Sequence, residues 1–333
     1  MSQSVSAGDL LNRFSQQRIL VVGDIMLDWF IWGSVSRISP EAPVPVVEVQ
    51  EEDRYPGGAA NVARNLTPFG SKIELAGLYG KDPNGALLTA TLENNGIGSD
   101  LCLEVEKFQT ITKTRVVARH QQVVRIDREK RFQLDPVKEA VLIENIAKVL
   151  PNIDGMIIED YGKGLITPRL VEALIKEARK HKIVITVDPK PGNPISWKGV
   201  TTVKPNRPEA FACAGKVDIH RDEGVPPLED EPLLEVGKIL REKWESDQVL
   251  LTLGEQGMLL FSADEEPFLI PALAKEVFDV SGAGDTAIAL YTLSLCAGLD
   301  AHSAARISNL ASSIVVGKLG TSPIEKDELA ALL

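Results

Sequence analysis

Residues 279–286, Asp-Val-Ser-Gly-Ala-Gly-Asp-Thr, put two glycines and a carboxylate just ahead of an apolar run. Gly282 and Gly284 free the backbone to turn sharply and to present consecutive N–H groups to an anion. A helix starting there adds the positive end of its dipole. Asp285 then sits inside an anion-attracting loop, which is costly unless the carboxylate has a task. Taking a proton from a hydroxyl beside a transferring phosphoryl group is such a task. The alternative is a glycine-rich turn that only caps the helix. Other stretches carry possible chemistry as well. Asp24 and Asp28 follow the apolar run Arg-Ile-Leu-Val-Val-Gly at 18–23, where they suit the hydroxyls of a polar ligand or are simply solvated loop acids. Gly57, Gly58, two alanines and Asn61 open a helix with little bulk, so a ligand can approach its backbone. The Asn61 amide offers a donor and an acceptor to sugar hydroxyls. Lys113, Arg115, Arg119 and Arg125 fall in a β-like stretch, and the even separations among Lys113, Arg119 and Arg125 place these three on one strand face. They suit an anionic substrate group, or are the charges that protect an edge strand from aggregation.

These groups need a frame. A chain of 333 residues fits one large α/β unit with an appendage, or two domains. It is 44% hydrophobic and 25% charged, ordinary for a globular protein. A net charge of −11 argues against nucleic acid or an anionic membrane as a general partner. Cys102, Cys213 and Cys296 show no metal or disulfide spacing. No signal peptide opens the chain, and no apolar run reaches the roughly 18 residues of a membrane span, so a cytoplasmic location is expected.

Short apolar runs at 18–23, 71–79, 155–159, 183–187, 200–203 and 248–253 read as strands of a mainly parallel sheet, alternating with helices. Several end in polar residues: Asp188 and Lys190 after one, Asn206 to Glu209 after another, and Gly254 and Gly257 after a third. Ligands bind such sheets at these ends. Two stretches, 29–55 and 101–132, differ. Pro43 and Pro45 forbid a helix there, yet valines alternate around them, which fits edge strands. Together they are expected to form a small sheet over the site. The expected division is therefore a core of 1–28, 56–100 and 133–333 and a discontinuous β lid of 29–55 and 101–132. Residues 216–232, acidic and Pro-rich, read as a surface insertion.

There is no GxxxxGK[ST] loop, no GxGxxG after the first strand, no GxSxG and no His/Cys cluster. What remains is Gly-Gly-Ala-Ala-Asn early, Asn-x-x-Glu in the middle and Gly-Ala-Gly-Asp late. Over nearly the whole chain this combination resembles the ribokinase-like sugar kinases, the PfkB family. The resemblance implies a ribokinase-like three-layer α/β/α core with a mainly parallel sheet plus a small β-sheet lid. It implies Asp285 as general base, and Gly282, Ala283 and Gly284 as the backbone anion hole. Asn206 and Glu209 would organise Mg²⁺ through water. Asp28, Gly57, Gly58 and Asn61 would hold sugar hydroxyls, and Asp188 and Lys190 would approach the substrate or the nucleotide phosphates. Asn309 would lie on the adenine side of ATP, with Gly254 and Gly257 in the same nucleotide site. Asp279 and the 317–320 loop resemble a monovalent-cation site, K⁺ in kind.

Further stretches sharpen this. Ser-Arg-Ile-Ser-Pro-Glu-Ala-Pro at 36–43, Thr-Ile-Thr-Lys-Thr-Arg at 110–115 and Val-Gly-Lys-Leu-Gly-Thr at 316–321 resemble the heptose kinases within that family. The implied reaction makes the 1,7-bisphosphate from D-glycero-β-D-manno-heptose 7-phosphate and ATP, a step toward ADP-heptose and lipopolysaccharide. Lys113, Arg119 and Arg125, with Arg37 as a further candidate, would hold the 7-phosphate. Trp29 departs from the pattern, standing beside Asp28 where such kinases tend to carry a basic residue; this bears on the substrate, not the chemistry. The chain also lacks the His-x-Gly-His motif of a fused nucleotidyltransferase, so a stand-alone kinase or a kinase half is expected. A homodimer through the lid is expected. The alternatives are a kinase of another sugar or phosphosugar, or a non-catalytic sugar- or nucleotide-binding protein.

Overall fold

The computed structural model describes residues 6–119, 121–221, 224–263, 265–273, 280–318 and 322–333. At its centre an eight-stranded sheet runs in the order Phe268–Ile270, Met258–Ser262, Gln248–Thr252, Thr202–Val203, Val184–Asp188, Gly155–Glu159, Arg18–Gly23, Lys72–Ala76. The strands from Gln248–Thr252 to Lys72–Ala76 are parallel, and Met258–Ser262 pairs antiparallel with the strand on each side of it.

The uninterrupted apolar runs follow from burial on both faces. Leu20, Val22, Met156 and Ile158 face a core closed by the helices Pro136–Val149, Pro168–Lys180 and Glu231–Trp244. Their neighbours Ile19, Val21 and Ile157 face the helices Ala7–Gln16, Ala59–Leu66, Ala283–Cys296 and Ala301–Val315. Each such side chain contributes about 1.5–3 kcal/mol on burial, so a strand with two apolar faces is held twice over. The result is three layers, α/β/α. Helix starts are written locally: Asp82, Asp135, Thr167 and Asp300 each accept a backbone N–H of the first turn.

A second sheet of four strands runs Pro45–Gly58, Ile25–Ile38, Thr112–Ala118, Gln121–Arg128. Pro45 and Pro56 both lie on an edge strand of this sheet, where a missing N–H does least harm. The sheet begins earlier and ends later than residues 29–55, because Ile25 and Met26 already ladder with Gly58 and Gly57. The expected patch 101–132 also divides. Leu103–Val105 pairs with Leu78–Gly80 in a separate two-stranded sheet, and Val105 joins the main core. Asp24 and Gly58 therefore mark the two places where the small sheet is rooted in the large one, and Ala59 N–H donates to the Asp24 carbonyl at 3.1 Å. Among the described residues no helix is long and apolar enough to cross a membrane.

Candidate active site

Gly282 adopts φ 82°, a left-handed conformation open to glycine, and starts the helix Ala283–Cys296. Asp285 falls in its first turn. Its carboxylate receives two hydrogen bonds from uncharged donors. Asn61 Nδ2 donates to Oδ2 at 2.7 Å, and the Tyr161 hydroxyl donates to Oδ1 at 2.9 Å. Burial pushes the Asp285 carboxyl up to about 6, and the two hydrogen bonds oppose that rise. Asn61 is fixed in turn by a polar chain through the core. Thr286 Oγ1 donates to Asn65 Oδ1 at 2.8 Å, and Asn65 Nδ2 donates to the Asn61 carbonyl at 2.9 Å. Buried Ala59, Ala60 and Ala63 let the helix Ala59–Leu66 pack closely in this region. Asn61, read from sequence as a sugar ligand, thus holds the proposed base in this structure. Of the three backbone donors expected for an anion, Ala283 N–H turns back to the Val280 carbonyl at 3.3 Å, while Ala283 and Gly284 both line the adjoining cavity.

That cavity, about 860 Å³, adjoins the carboxyl ends of the parallel strands and is of the size a small-molecule ligand fills. Asp188, Asn206, Glu209, Gly254, Gly257 and Asn309 all line it. Lys204, which sequence reading passed over, lines it too and is 3% exposed. Its ammonium pairs with Asp188 at 2.7 Å and lies 3.5 Å from where a side chain on Gly284 would begin. Burial works against the Lys204 charge, but the carboxylates of Asp188 and Glu159 outweigh it and hold the ammonium's pKa above its usual value. Glu159, at the end of the neighbouring strand, is pushed well up by burial and by the carboxylates of Asp188 and Asp285.

Asn206 and Glu209 form a capping box on the helix Arg207–Ala214, each side chain accepting the other's N–H, at 2.9 and 3.1 Å. Lys190 Nζ reaches Glu209 at 3.4 Å. Among the described residues no three acidic, His or Cys side chains converge to hold a metal ion. Asn206 and Glu209 line the cavity, and an amide and a carboxylate are oxygen donors of the kind a largely hydrated Mg²⁺ accepts. Asn309 Nδ2 donates to the Pro271 carbonyl at 2.9 Å. A side chain on Gly257 would strike the Ile270 carbonyl. Asp279 and residues 319–320 lie outside the described residues, and the monovalent-cation reading with them. The insertion at 216–232 is more than a surface loop. Arg207, inside the Asn-x-x-Glu motif, binds Asp218 at 2.6 Å and Asp230 at 2.7 Å, and Arg221 of the insertion lines the cavity.

On the side of the small sheet, a side chain on Gly57 would occupy the place of the buried Asp28 carboxylate and displace it. Gly58, at φ 60°, leads into the helix that carries Asn61. Asp28 is ion-paired to Arg115, which also lies over the Phe30 ring at 5.2 Å from its centroid. The expected cationic face needs correcting. Arg119 lies beyond the strand Thr112–Ala118, at φ 48° in the turn that follows, so it shares no strand face with the others. Arg115 and Arg125 are directly opposed, and Lys113 stands two residues from Arg115, so these three share the face. Each has a carboxylate partner: Glu129 for Lys113, Asp28 for Arg115, Asp127 for Arg125. Arg37 is exposed near the far end of Ile25–Ile38. Asp24 is not a solvated acid. It is buried and accepts three backbone N–H groups, from Tyr161 at 3.2 Å, Lys163 at 2.9 Å and Leu165 at 3.3 Å.

Tyr161 and Lys204 are the additions to the residues singled out from sequence, and Arg115, named there only as one of the basic cluster, takes the place of Arg119 on the shared face. Lys204 follows a buried strand directly and Tyr161 stands two residues after one, and those positions were a usable signal; Arg115 differs from its basic neighbours through its partners.

Comparison with known proteins identifies the family and the fold. The bifunctional protein HldE of Desulfatibacillum aliphaticivorans is 42% identical over 320 residues, which are 96% of this chain and 64% of that protein. The HldE of Vibrio vulnificus is 40% identical over 322 residues, again 96% and 64%. The chain thus spans about two thirds, 64%, of the length of these curated relatives. Among solved structures, Arabidopsis thaliana ribokinase complexed with ribose and ATP superposes with a TM-score of 0.70 at 18% identity, covering 95% of this chain and 98% of that one. Escherichia coli phosphofructokinase-2 in complex with potassium gives 0.73 at 18% identity, covering 95% and 97%. The fold is ribokinase-like. The profile of the pfkB family carbohydrate kinases matches residues 16–327, and the chain belongs to that family.

Proposed function

We propose that this sugar kinase transfers the γ-phosphoryl group of ATP to a hydroxyl of a sugar phosphate, D-glycero-β-D-manno-heptose 7-phosphate, giving the 1,7-bisphosphate. The observation that carries the phosphotransfer chemistry is Asp285, a carboxylate held by two neutral donors at the N-terminus of a helix, beside a cavity lined by Lys204 and Gly284. Asp285 accepts the proton of the attacking hydroxyl. Gly282, Ala283 and Gly284 with the helix N-terminus receive the charge in transit. The nucleotide occupies the cavity, its phosphates toward Lys204 and its base toward Asn309, with Gly254 and Gly257 along the wall. Mg²⁺ when bound would neutralise phosphate charge, with Asn206 and Glu209 as the residues that face it. Asp28, held against Gly57, takes sugar hydroxyls. Lys113, Arg115 and Arg125 are the cations that serve the 7-phosphate.

The heptose substrate rests on the resemblance of stretches 36–43, 110–115 and 316–321, and the cationic lid face favours a phosphorylated acceptor over a neutral sugar. Exposed Val49, Val124 and Ile126 support a lid that pairs with a second copy of the chain. A coupled ADP-release assay with Mg-ATP and a panel of heptose 7-phosphate, fructose 6-phosphate and ribose tests the reading. The heptose phosphate is expected to give a kcat/KM at least tenfold above the other two. A preference for ribose sinks the phosphosugar assignment, and no ADP from any acceptor sinks the kinase reading.

A further inference from the structure

We propose that Tyr161 is a positioning residue for the reaction, its phenol fixing which way the Asp285 carboxylate presents its oxygens to the acceptor hydroxyl. The inference rests on the phosphotransfer reading above and adds the loop 160–165 to the catalytic apparatus. A carboxylate has about four acceptor sites. Tyr161 takes one on Oδ1 and Asn61 takes one on Oδ2, so the group cannot rotate without breaking a bond, and free lone pairs remain on both oxygens. The two donors arrive from separate elements, the helix Ala59–Leu66 and the loop after the strand Gly155–Glu159.

The loop that carries Tyr161 is anchored well beyond what a connection needs. Asp24 is 4% exposed, and its carboxylate accepts the N–H groups of Tyr161, Lys163 and Leu165. Burying a carboxylate for backbone donors alone is expensive, and here it fixes the phenol's position. Asp160 Oδ1 accepts from Gly162 N–H at 2.8 Å. Phe132 N–H donates to the Lys163 carbonyl at 2.9 Å, and Lys163 Nζ reaches Glu129 at 2.7 Å. Gly162 and Gly164 take φ 67° and 116°, and Gly164 has the Phe132 carbonyl where a side chain would be.

Tyr161 does not itself take the proton. Burial and the adjacent carboxylates of Asp285, Glu159 and Asp188 push its phenol well above the ordinary tyrosine range, so it stays a donor. In the transfer the acceptor O–H bond breaks, its proton goes to Asp285, the O–P bond forms, and ADP leaves with the electron pair of the cleaved P–O bond. The charged groups facing Asp285 are Glu159 and Asp188, which oppose its ionisation, and Lys204, which favours it. Loss of the Tyr161 bond therefore makes Asp285 harder to ionise.

Tyr161→Phe removes one hydroxyl and keeps the ring. Its expected result is a kcat lower by about tenfold or more at pH 7, with the KM for ATP within about twofold, since one charge-assisted hydrogen bond is lost. The acidic limb of the kcat profile should move up by about one to two pH units, so that part of the lost rate returns at high pH. A kcat that falls equally at every pH shows a merely structural role and overturns the proposal, as does an unchanged profile. A readout free of turnover separates this from the function itself. In protein labelled at the aspartate carboxyl carbon, the resonance missing from Asp285→Asn identifies Asp285, and its titration midpoint should rise in Tyr161→Phe. If the wild type transfers no phosphoryl group, the function falls, while an unmoved midpoint removes the positioning role whatever the acceptor.

Discussion

Asp285 and Asp28 stand at the two ends of the segment 57–61, one against Asn61 and the other against Gly57, and they are held by opposite means. Asp285 has two neutral donors supplied by the core, one of them tied through Asn65 and Thr286 to the helix on which Asp285 itself sits. Asp28 has the guanidinium of Arg115, supplied by a four-stranded sheet whose outer strand Gln121–Arg128 is exposed along its length. The difference is chemical as well as architectural. A proton acceptor needs to be held without losing its basicity, and neutral donors do this more gently than a cation. A guanidinium beside Asp285 would favour the ionised form far more strongly and leave a weaker base. A group proposed only to orient hydroxyls, as Asp28 is, has no such requirement, and an ion pair can hold it in place.

The largest effect should follow from breaking the core end. Asp285→Asn keeps shape and removes the proposed base, so kcat is expected to fall by about 10²–10⁴. ATP affinity by calorimetry should stay within about threefold, because the cavity is unchanged. The wild-type rate should also depend on this group's protonation. Burial has raised the Asp285 carboxyl to about 6, and the base works only when ionised. Turnover is therefore expected to be level above that pH and to fall about tenfold per unit below it. A variant that retains turnover, or a rate indifferent to pH between 5 and 7, would remove the contrast between the two carboxylates.

Much of the core end was legible in sequence, and the reason is local. The strand Gly155–Glu159 is apolar throughout because both faces are covered, and the glycines at 282 and 284 announce a turn whichever fold contains them. The capping box of Asn206 and Glu209 lies within four consecutive residues. The partners of Asp285 are another matter. Asn61 and Tyr161 are 224 and 124 residues away in sequence, so their meeting depends on strand order and not on spacing. The lid cations failed for a third reason. Parity along a strand holds only while the strand lasts, and this one ends at Ala118 after a register shift at Val116 and Val117. Counting by twos carried Arg119 onto a face it does not occupy, while the same parity holds for Arg115, which does occupy it.

A second variant sharpens the comparison by asking what charge does within the core. Lys204 is buried against Asp188, with Glu159 close by. Lys204→Ala leaves buried carboxylate charge without its cation, and such a loss costs about 3–5 kcal/mol. The expected outcome is a clear drop in the denaturant midpoint together with weaker ATP binding. Arg115→Ala should lower that midpoint less: Asp28 is buried too, but it is the one carboxylate that Arg115 pairs with among the described residues, whereas Lys204 offsets Asp188 and Glu159 together. Equal losses would mean that the lid pair is as much a part of the folded core as the Lys204 pair, and the distinction drawn between the two ends would not hold.

The smallest effects decide where the lid meets its ligand. Arg115, paired to Asp28 and stacked over Phe30, is the cation that structure places on the face with Lys113 and Arg125. Arg119 stands in the turn at positive φ, a conformation that costs a non-glycine residue about 1 kcal/mol or more and that nothing in a strand face requires. Arg115→Ala is therefore expected to raise the KM for the phosphosugar about tenfold, on the order of one charge-assisted contact, with the KM for ATP changed less than twofold. Arg119→Ala should leave both constants within about twofold. Arg119→Gly should do the same while relieving the turn, with a denaturant midpoint equal to or above that of the wild type. Steady-state kinetics with each substrate varied in turn give the answer. Should Arg119→Ala carry the larger rise for the phosphosugar, the anion is held at the tip of the lid and not on the face beside Asp28. Asp28 and its arginine would then orient the sugar ring alone, and the two ends of segment 57–61 would differ in what they hold as well as in how they are held.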